Sequence, residues 1–376
     1  MKKREYDFWI LFTVLVMLAM GTVMVFSASS YSADYYFNNK YHFLLRQLIW
    51  GAVGIISMFV FSNIDYRRIA ASSPILMVIS TIMLALVLIP GIGTVINDSR
   101  RWFDLKFTTF QPSEFTKIAM ILFFSFSLSK NNDKLKYFFR GLLPYLMVVG
   151  VTALLLLKEP HMSATILITL VSVVLLFCAG ARVWHFILLA VPIGAVGWQL
   201  IKSAEYRMNR IIAFTDPFKY SSDEGFQVVN SLYAIASGSF FGRGLGRSLQ
   251  KNLYLPEPHN DFIFAILAEE LGFIGAFTVI VLFMLFIWRG IKVAMNAPDM
   301  LGSLIAMGIT SLIALETIIN IAVVTSTVPT TGMPLPFFSA GGTSTVFLLT
   351  SIGILLNISK GSASTDFRLI RGNKKG

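Results

Sequence analysis

Leu255-Pro256-Glu257-Pro258-His259-Asn260-Asp261-Phe262-Ile263-Phe264 opens an apolar run that continues to about residue 288. About 20 apolar residues cross the hydrocarbon core of a bilayer as a helix, so this run reads as a membrane span. A carboxylate at its start lies near the water–lipid boundary, where desolvation is costly and proton affinity can be tuned. Such a position is poor for stability and useful for proton transfer.

The rest of the chain repeats the pattern. Apolar residues make up 55% of the 376, mean hydropathy is +0.71, and 14% are charged. The expected fold class is an all-α polytopic membrane protein. Its spans lie near 8–27, 44–62, 74–92, 113–129, 141–157, 163–179, 183–201, 261–288, 301–325 and 341–359, about ten in all. The first follows Lys2, Lys3 and Arg4. Its apolar core is too long for an ordinary signal peptide, although Ser27-Ala28-Ser29 imitates a cleavage site, so it reads as an uncleaved anchor.

With the N-terminus inside, 17 lysines and arginines fall on cytoplasmic segments and six on the short outer loops. Both termini are then cytoplasmic, and the one large connection, 202–260 between spans seven and eight, is extracytoplasmic. The chain reads as one membrane domain, 1–376, with that loop and a basic tail at 360–376. The net charge of +11 fits orientation and anionic headgroups, with no nucleic acid implied. The single cysteine, Cys178, excludes an intrachain disulfide and reads as a small packed hydrophobe.

Charged residues inside spans are few. Glu114 and Lys117 are three apart on one helix face, either as a structural ion pair or as a pair that tunes a neighbouring group. Glu316 and Asn320, four apart, suit interhelical hydrogen bonds. Glu269 points in a direction related to that of Asp261 and Glu270 points oppositely, so one of the two acids is expected at a polar cavity. Gly238, Gly242, Gly244 and Gly246 alternate with Arg243 and Arg247. That stretch is either a glycine-rich turn between helices or a loop that cradles an anion. The four histidines show no metal-ligand spacing, so a zinc site held by protein alone is not expected. A divalent ion (Mg²⁺ or Mn²⁺) shared between a carboxylate and a substrate pyrophosphate stays open, and no organic cofactor is implied.

Arg100-Arg101-Trp102, Gln111-Pro112-Ser113-Glu114 with Lys117, Tyr206-Arg207-Met208-Asn209-Arg210, Gly242-Arg243-Gly244-Leu245-Gly246, the 255–264 run and Pro329-Thr330-Thr331-Gly332-Met333-Pro334-Leu335-Pro336-Phe337-Phe338-Ser339-Ala340-Gly341-Gly342 occur in this order. In this the chain resembles the SEDS family, the shape, elongation, division and sporulation glycosyltransferases. The 255–275 region looks closer to the FtsW/SpoVE branch than to RodA. The resemblance implies a ten-span fold that polymerises lipid II into β-1,4 peptidoglycan strands at the outer face of the bacterial cytoplasmic membrane. It implies a division or sporulation role, at the septum, with a class B penicillin-binding protein as partner.

The family's essential acid corresponds to Asp261. Glu114, Lys117, Glu257, His259 and Asn260 support or tune it, and Arg101, Arg207, Arg210 and Arg243 are candidates to screen the pyrophosphate. Without the resemblance, Asp261 reads as a helix-capping carboxylate. Ala340, Thr343, Ser239 and Glu316 stand where the family usually has tyrosine, serine, a second glycine and glutamine. Two other readings are a flippase for lipid-linked precursors, with Glu114, Lys117, Glu269 and Glu316 along a polar path, and a structural membrane partner without activity.

Overall fold

The computed structural model describes residues 6–96, 99–106, 108–202, 205–220, 225–252, 254–256 and 258–372. Helix α1 (Phe8–Phe37) starts where the Asp7 carboxylate accepts from Trp9 N and Ile10 N, satisfying two of the donors a helix start leaves open. It runs ten residues past the expected span and buries Ser27-Ala28-Ser29. Then follow α2 (His42–Asn63), α3 (Tyr66–Ala71) and α4 (Ser73–Val87). After a small sheet come α5 (Pro112–Asn131), α6 (Leu143–Lys158), α7 (Met162–Cys178), α8 (Val183–Lys202), α9 (Glu205–Thr215) and α10 (Phe226–Gly238). The chain closes with α11 (Ile263–Met295), α12 (Met300–Val324) and α13 (Gly342–Gly372).

Among the described residues, six helical stretches are long and apolar enough to cross a membrane. They are α1, α2, Phe138–Lys158 (a π-helical turn leading into α6), α11, α12 and Gly342–Gly361 of α13. The chain is therefore a membrane protein. Helices α4 and α7 are apolar but shorter, and α5 and α8 are 20 residues each.

One departure from an all-α chain is a three-stranded antiparallel sheet, β1 (Thr94–Ile96), β2 (Ser99–Asp104) and β3 (Thr109–Phe110), paired in that order. Short β-branched and aromatic strands suit a pleated surface, and Asp104 stabilises the turn by accepting from Lys106 N at 2.7 Å.

Helix α12 sits inside, packed on α5, α7 and α11, while α2 lies on α13. The α2–α13 contact uses small residues: a Cβ on Gly54 would meet the Leu349 side chain, and one on Gly353 would meet the Met58 backbone. Close backbone approach of this kind replaces the hydrophobic drive that is absent between helices in lipid. The opposite face of α2 exposes Leu45, Leu48, Ile49, Val53, Ile56 and Val60, as a lipid-facing stripe should. Helix α11 is broken at Gly272 (φ 68°, ψ −166°), where Phe273 N donates to Ser239 O and Ile274 N to Phe240 O.

Candidate active site

Asp261 does not cap α11. The capping position is Phe262, with no side-chain hydrogen bond to the helix start. The carboxylate lies instead against Gly332: a Cβ there would come within 3.3 Å of Asp261 Oδ2. Gly332 has φ +71°, a conformation that favours glycine, so both backbone shape and space call for that residue.

The turn that carries Asp261 is held through three successive carbonyls. Ala340 N donates to His259 O at 3.0 Å, Ser339 Oγ to Asn260 O at 2.8 Å, and Asn320 Nδ2 to Asp261 O at 2.8 Å. The same Asn320 Nδ2 donates to Met333 O at 2.7 Å. Ser339 Oγ also accepts from Leu335 N at 2.8 Å. Three prolines (Pro329, Pro334 and Pro336) keep the 329–340 segment out of helix, so its backbone is available for these contacts. The buried His259 ring packs on Phe43 of α2 with centroids 4.3 Å apart. Glu257 lies outside the described residues.

Lys117 is buried between two carboxylates, Glu114 Oε2 at 2.8 Å and Glu316 Oε1 at 2.6 Å. The pair expected on one face of α5 is thus a triad that crosses to α12. It lines a small, partly open space of about 40 Å³ with Pro334, Leu335, Pro336 and Ser339. Ser339 therefore borders the triad while bonding the Asp261 turn. Removing one member of such a buried ionic group leaves an uncompensated charge.

Arg210, Arg101 and Arg243 each contact a different part of the chain. Arg210 Nη1 donates to Thr330 O at 3.3 Å and lines a cavity of about 690 Å³ with Asn209, Tyr220, Gln227, Pro256 and Thr330. Arg101 donates to Glu159 O at 3.0 Å and Pro160 O at 2.5 Å. Arg243 pairs with Glu269 Oε1 at 3.3 Å. Arg207 lies in α9.

Arg101 anchors a corner between α6 and α7. Burial pushes the Glu159 carboxyl up to about 8, opposed by Arg101, and neither of its oxygens has a hydrogen-bond partner among the described residues. Burial pushes His161 down to about 3, with Arg101 and Lys117 adding to the effect. The corner reaches the 329–340 segment through Ser163 Oγ, which donates to Thr331 O.

Glu269 and Glu270 do not point to opposite surroundings. Both are buried, and both grip the loop that follows α10. Glu269 accepts from Ser248 Oγ at 2.5 Å and Leu249 N at 2.9 Å; Glu270 accepts from Ser248 N at 3.2 Å, Lys251 Nζ at 2.8 Å and Ser27 Oγ of α1. The glycine-rich stretch is therefore a docked turn: Arg243 N donates to Glu269 O and Gly244 N to Glu270 O. The departures from the family pattern sit at contacts too. Thr343 Oγ1 donates to Thr109 O at 3.3 Å, Ser239 takes φ 49°, and Ala340 acts through its backbone.

Sequence reasoning missed Asn320, Ser339 and Gly332 as parts of the site. Only the Glu316/Asn320 spacing hinted at one of them.

These helices, with a carboxylate turn laced to a proline-rich loop at one end, define a polytopic membrane protein with a polar site at the end of a span. A family model described as "Cell cycle protein", covering FtsW, RodA and SpoVE, matches residues 8–364. The chain belongs to this family. It is 44% identical to stage V sporulation protein E of Bacillus subtilis over 360 residues, covering 96% of this chain and 98% of that one. It is 42% identical to a probable peptidoglycan glycosyltransferase FtsW of Trichlorobacter lovleyi, covering 95% and 94%. Two solved structures share the fold at 24% identity. A chain of a peptidoglycan synthase complex that coordinates polymerization and crosslinking has TM-score 0.78, with 95% and 98% covered. RodA of Thermus thermophilus has TM-score 0.69, with 94% and 96% covered. The chain lies nearer to the FtsW and SpoVE members than to RodA.

Proposed function

We propose that this chain is a peptidoglycan glycosyltransferase that polymerises lipid II into β-1,4 glycan strands. The observation that carries the reading is the placement of Asp261: its carboxylate lies against Gly332, two residues from Thr330, which lines the Arg210 cavity. Forming a glycosidic bond with a lipid pyrophosphate as leaving group needs a base for the acceptor hydroxyl, charge stabilisation and positioning. Asp261 takes the proton of the 4-hydroxyl of one lipid II sugar. The oxygen attacks the anomeric carbon of the lipid-linked strand, the C–O bond to pyrophosphate breaks with inversion, and undecaprenyl pyrophosphate leaves. No protein acid is required on that side if cations screen the departing charge. Arg210 is the described arginine best placed to do so, with Arg207 three residues before it on the same helix.

A divalent cation, Mg²⁺ or Mn²⁺, belongs to the reading only as a further screen. Among the described residues no group of three or more His, Cys, Asp or Glu side chains is arranged to hold a metal, so Asp261 would have to share it with the pyrophosphate.

The remaining assignments rest on sequence and relatives. About ten spans, both termini cytoplasmic and 202–260 outside follow from the hydropathy and the distribution of lysine and arginine. So does the division into one membrane domain with a basic tail at 360–376. A division or sporulation role at the septum is supported by the FtsW and SpoVE relatives. A class B penicillin-binding protein is the partner the family resemblance implies. The flippase reading draws less support, because Glu114, Lys117, Glu269 and Glu316 are paired inside the protein.

Purified chain incubated with lipid II in detergent tests the reading, since glycan strands form there without a second compartment. Polymer from the wild type and none from a folded Asp261→Asn variant is the expected result. Normal polymer from that variant overturns the base assignment.

A further inference from the structure

Asn320 is fully buried in α12, one turn beyond Glu316, and its amide nitrogen spends both hydrogens on main-chain carbonyls 72 residues apart in sequence, those of Asp261 and Met333. The two carbonyls belong to the two segments that meet at the candidate base. Glycine 332, directly before Met333, is the residue whose missing side chain makes room for the Asp261 carboxylate. Asn320 thus measures the separation between the carboxylate-bearing turn and the surface the carboxylate rests on. Few side chains can do this. Aspartate has no N–H to give and alanine reaches neither carbonyl; glutamine is a methylene too long. The helix that presents Asn320 is itself fixed one turn away, where Glu316 is locked to Lys117. Ser339 adds a second hold on the neighbouring carbonyl of Asn260.

We propose that Asn320 is a positioning residue for the transfer reaction, with Ser339 as its auxiliary. The Asn320 amide fixes Asp261 against Gly332 and so sets the distance over which the acceptor proton is taken. This rests on the reading of Asp261 as general base. The role is distinct from that of a buried amide that merely glues helices together, because loss of alignment slows the chemical step without weakening substrate binding.

Steady-state polymerisation of lipid II by the full-length chain in detergent, with thermal melting on the same samples, separates the possibilities. Wild type and Asp261→Asn are run first: no polymer from the wild type, or polymer from Asp261→Asn, sinks the general-base reading itself. With those controls in order, Asn320→Ala lowers kcat by about 100-fold, the order expected for misplacing a reacting group by an ångström. Its KM for lipid II stays within about twofold of wild type. Ser339→Ala lowers kcat by a smaller factor, and the double variant is no worse than Asn320→Ala alone because both act on one turn. An Asn320→Ala protein with wild-type kcat and a lowered melting temperature overturns the inference, as does a raised KM with kcat unchanged. If Asn320→Ala does not fold, Ser339→Ala decides: a reduced kcat at unchanged KM sustains the clamp, and an unchanged kcat refutes it.

Discussion

The turn at 259–261 and the Glu269–Glu270 pair lie on either side of the start of α11, and they are fixed by opposite means. At Glu269 and Glu270, side-chain carboxylates accept from the backbone of 248–249, so two acids are consumed in holding a loop. At 259–261 the direction is reversed: donors from α12 and the 339–340 segment reach main-chain carbonyls. That arrangement holds the turn through three successive main-chain carbonyls. The contrast is between acids whose side chains hold a loop and an acid whose turn is held through its backbone, both near the start of one helix.

Substitutions that neutralise each acid should break the two regions differently. Asp261→Asn should abolish polymerisation by protein that still folds, a loss of at least about a hundredfold from removing a general base. Lys117→Met, in the triad that borders Ser339, should be the most destabilising change. It strands two buried carboxylates at a cost of about 3 kcal/mol or more, read as a lower melting temperature in detergent. Glu270→Gln should cost about 2 kcal/mol by weakening charged hydrogen bonds to Lys251 and Ser27, while kcat per folded molecule holds. A loss of kcat at unchanged stability there would erase the contrast.

A smaller, pH-gated effect belongs to Glu159. Its carboxyl keeps a proton up to about 8 in the folded chain, against an ordinary value of 4.5, because of burial. Between those values the folded chain binds a proton that the unfolded chain does not, so stability falls as pH rises and levels off above the upper value. Glu159→Gln should flatten this slope and melt higher than wild type at pH 9, while the two converge near pH 4.5. Smallest of all, Arg243→Ala should cost no more than about 1 kcal/mol, since its pair with Glu269 is partly exposed.

The membrane character and the six spanning helices were legible because apolar runs of spanning length dominate the chain, and Glu114 with Lys117 was legible because three-residue spacing fixes a shared helix face. Glu316 joins that pair from 199 residues away, a distance at which no local pattern operates. Asp261 could be singled out by its position, but its holders could not: Asn320 lies 59 residues beyond Asp261, and Ser339 lies 79 beyond Asn260. The sheet at 94–110 escaped for another reason. Its strands are too short, and too mixed in arginine and aromatic residues, to show a clear alternation. The glycine-rich stretch was ambiguous because docking against carboxylates and cradling an anion demand the same backbone freedom, and only the partners at Glu269 and Glu270 decide between them.

The break at Gly272 bears on depth. Residues 273–295 alone extend roughly 34 Å at 1.5 Å per residue, which already covers a hydrocarbon slab of about 30 Å. The nine helical residues before the break are surplus to crossing. They form a short post packed inside the protein, with Glu269 and Glu270 buried at its foot and Asp261 just before its first turn. The break thus divides one helix between two tasks: the longer part is long enough to cross, and the shorter part carries the Asp261 turn away from the kink that Glu269 and Glu270 adjoin.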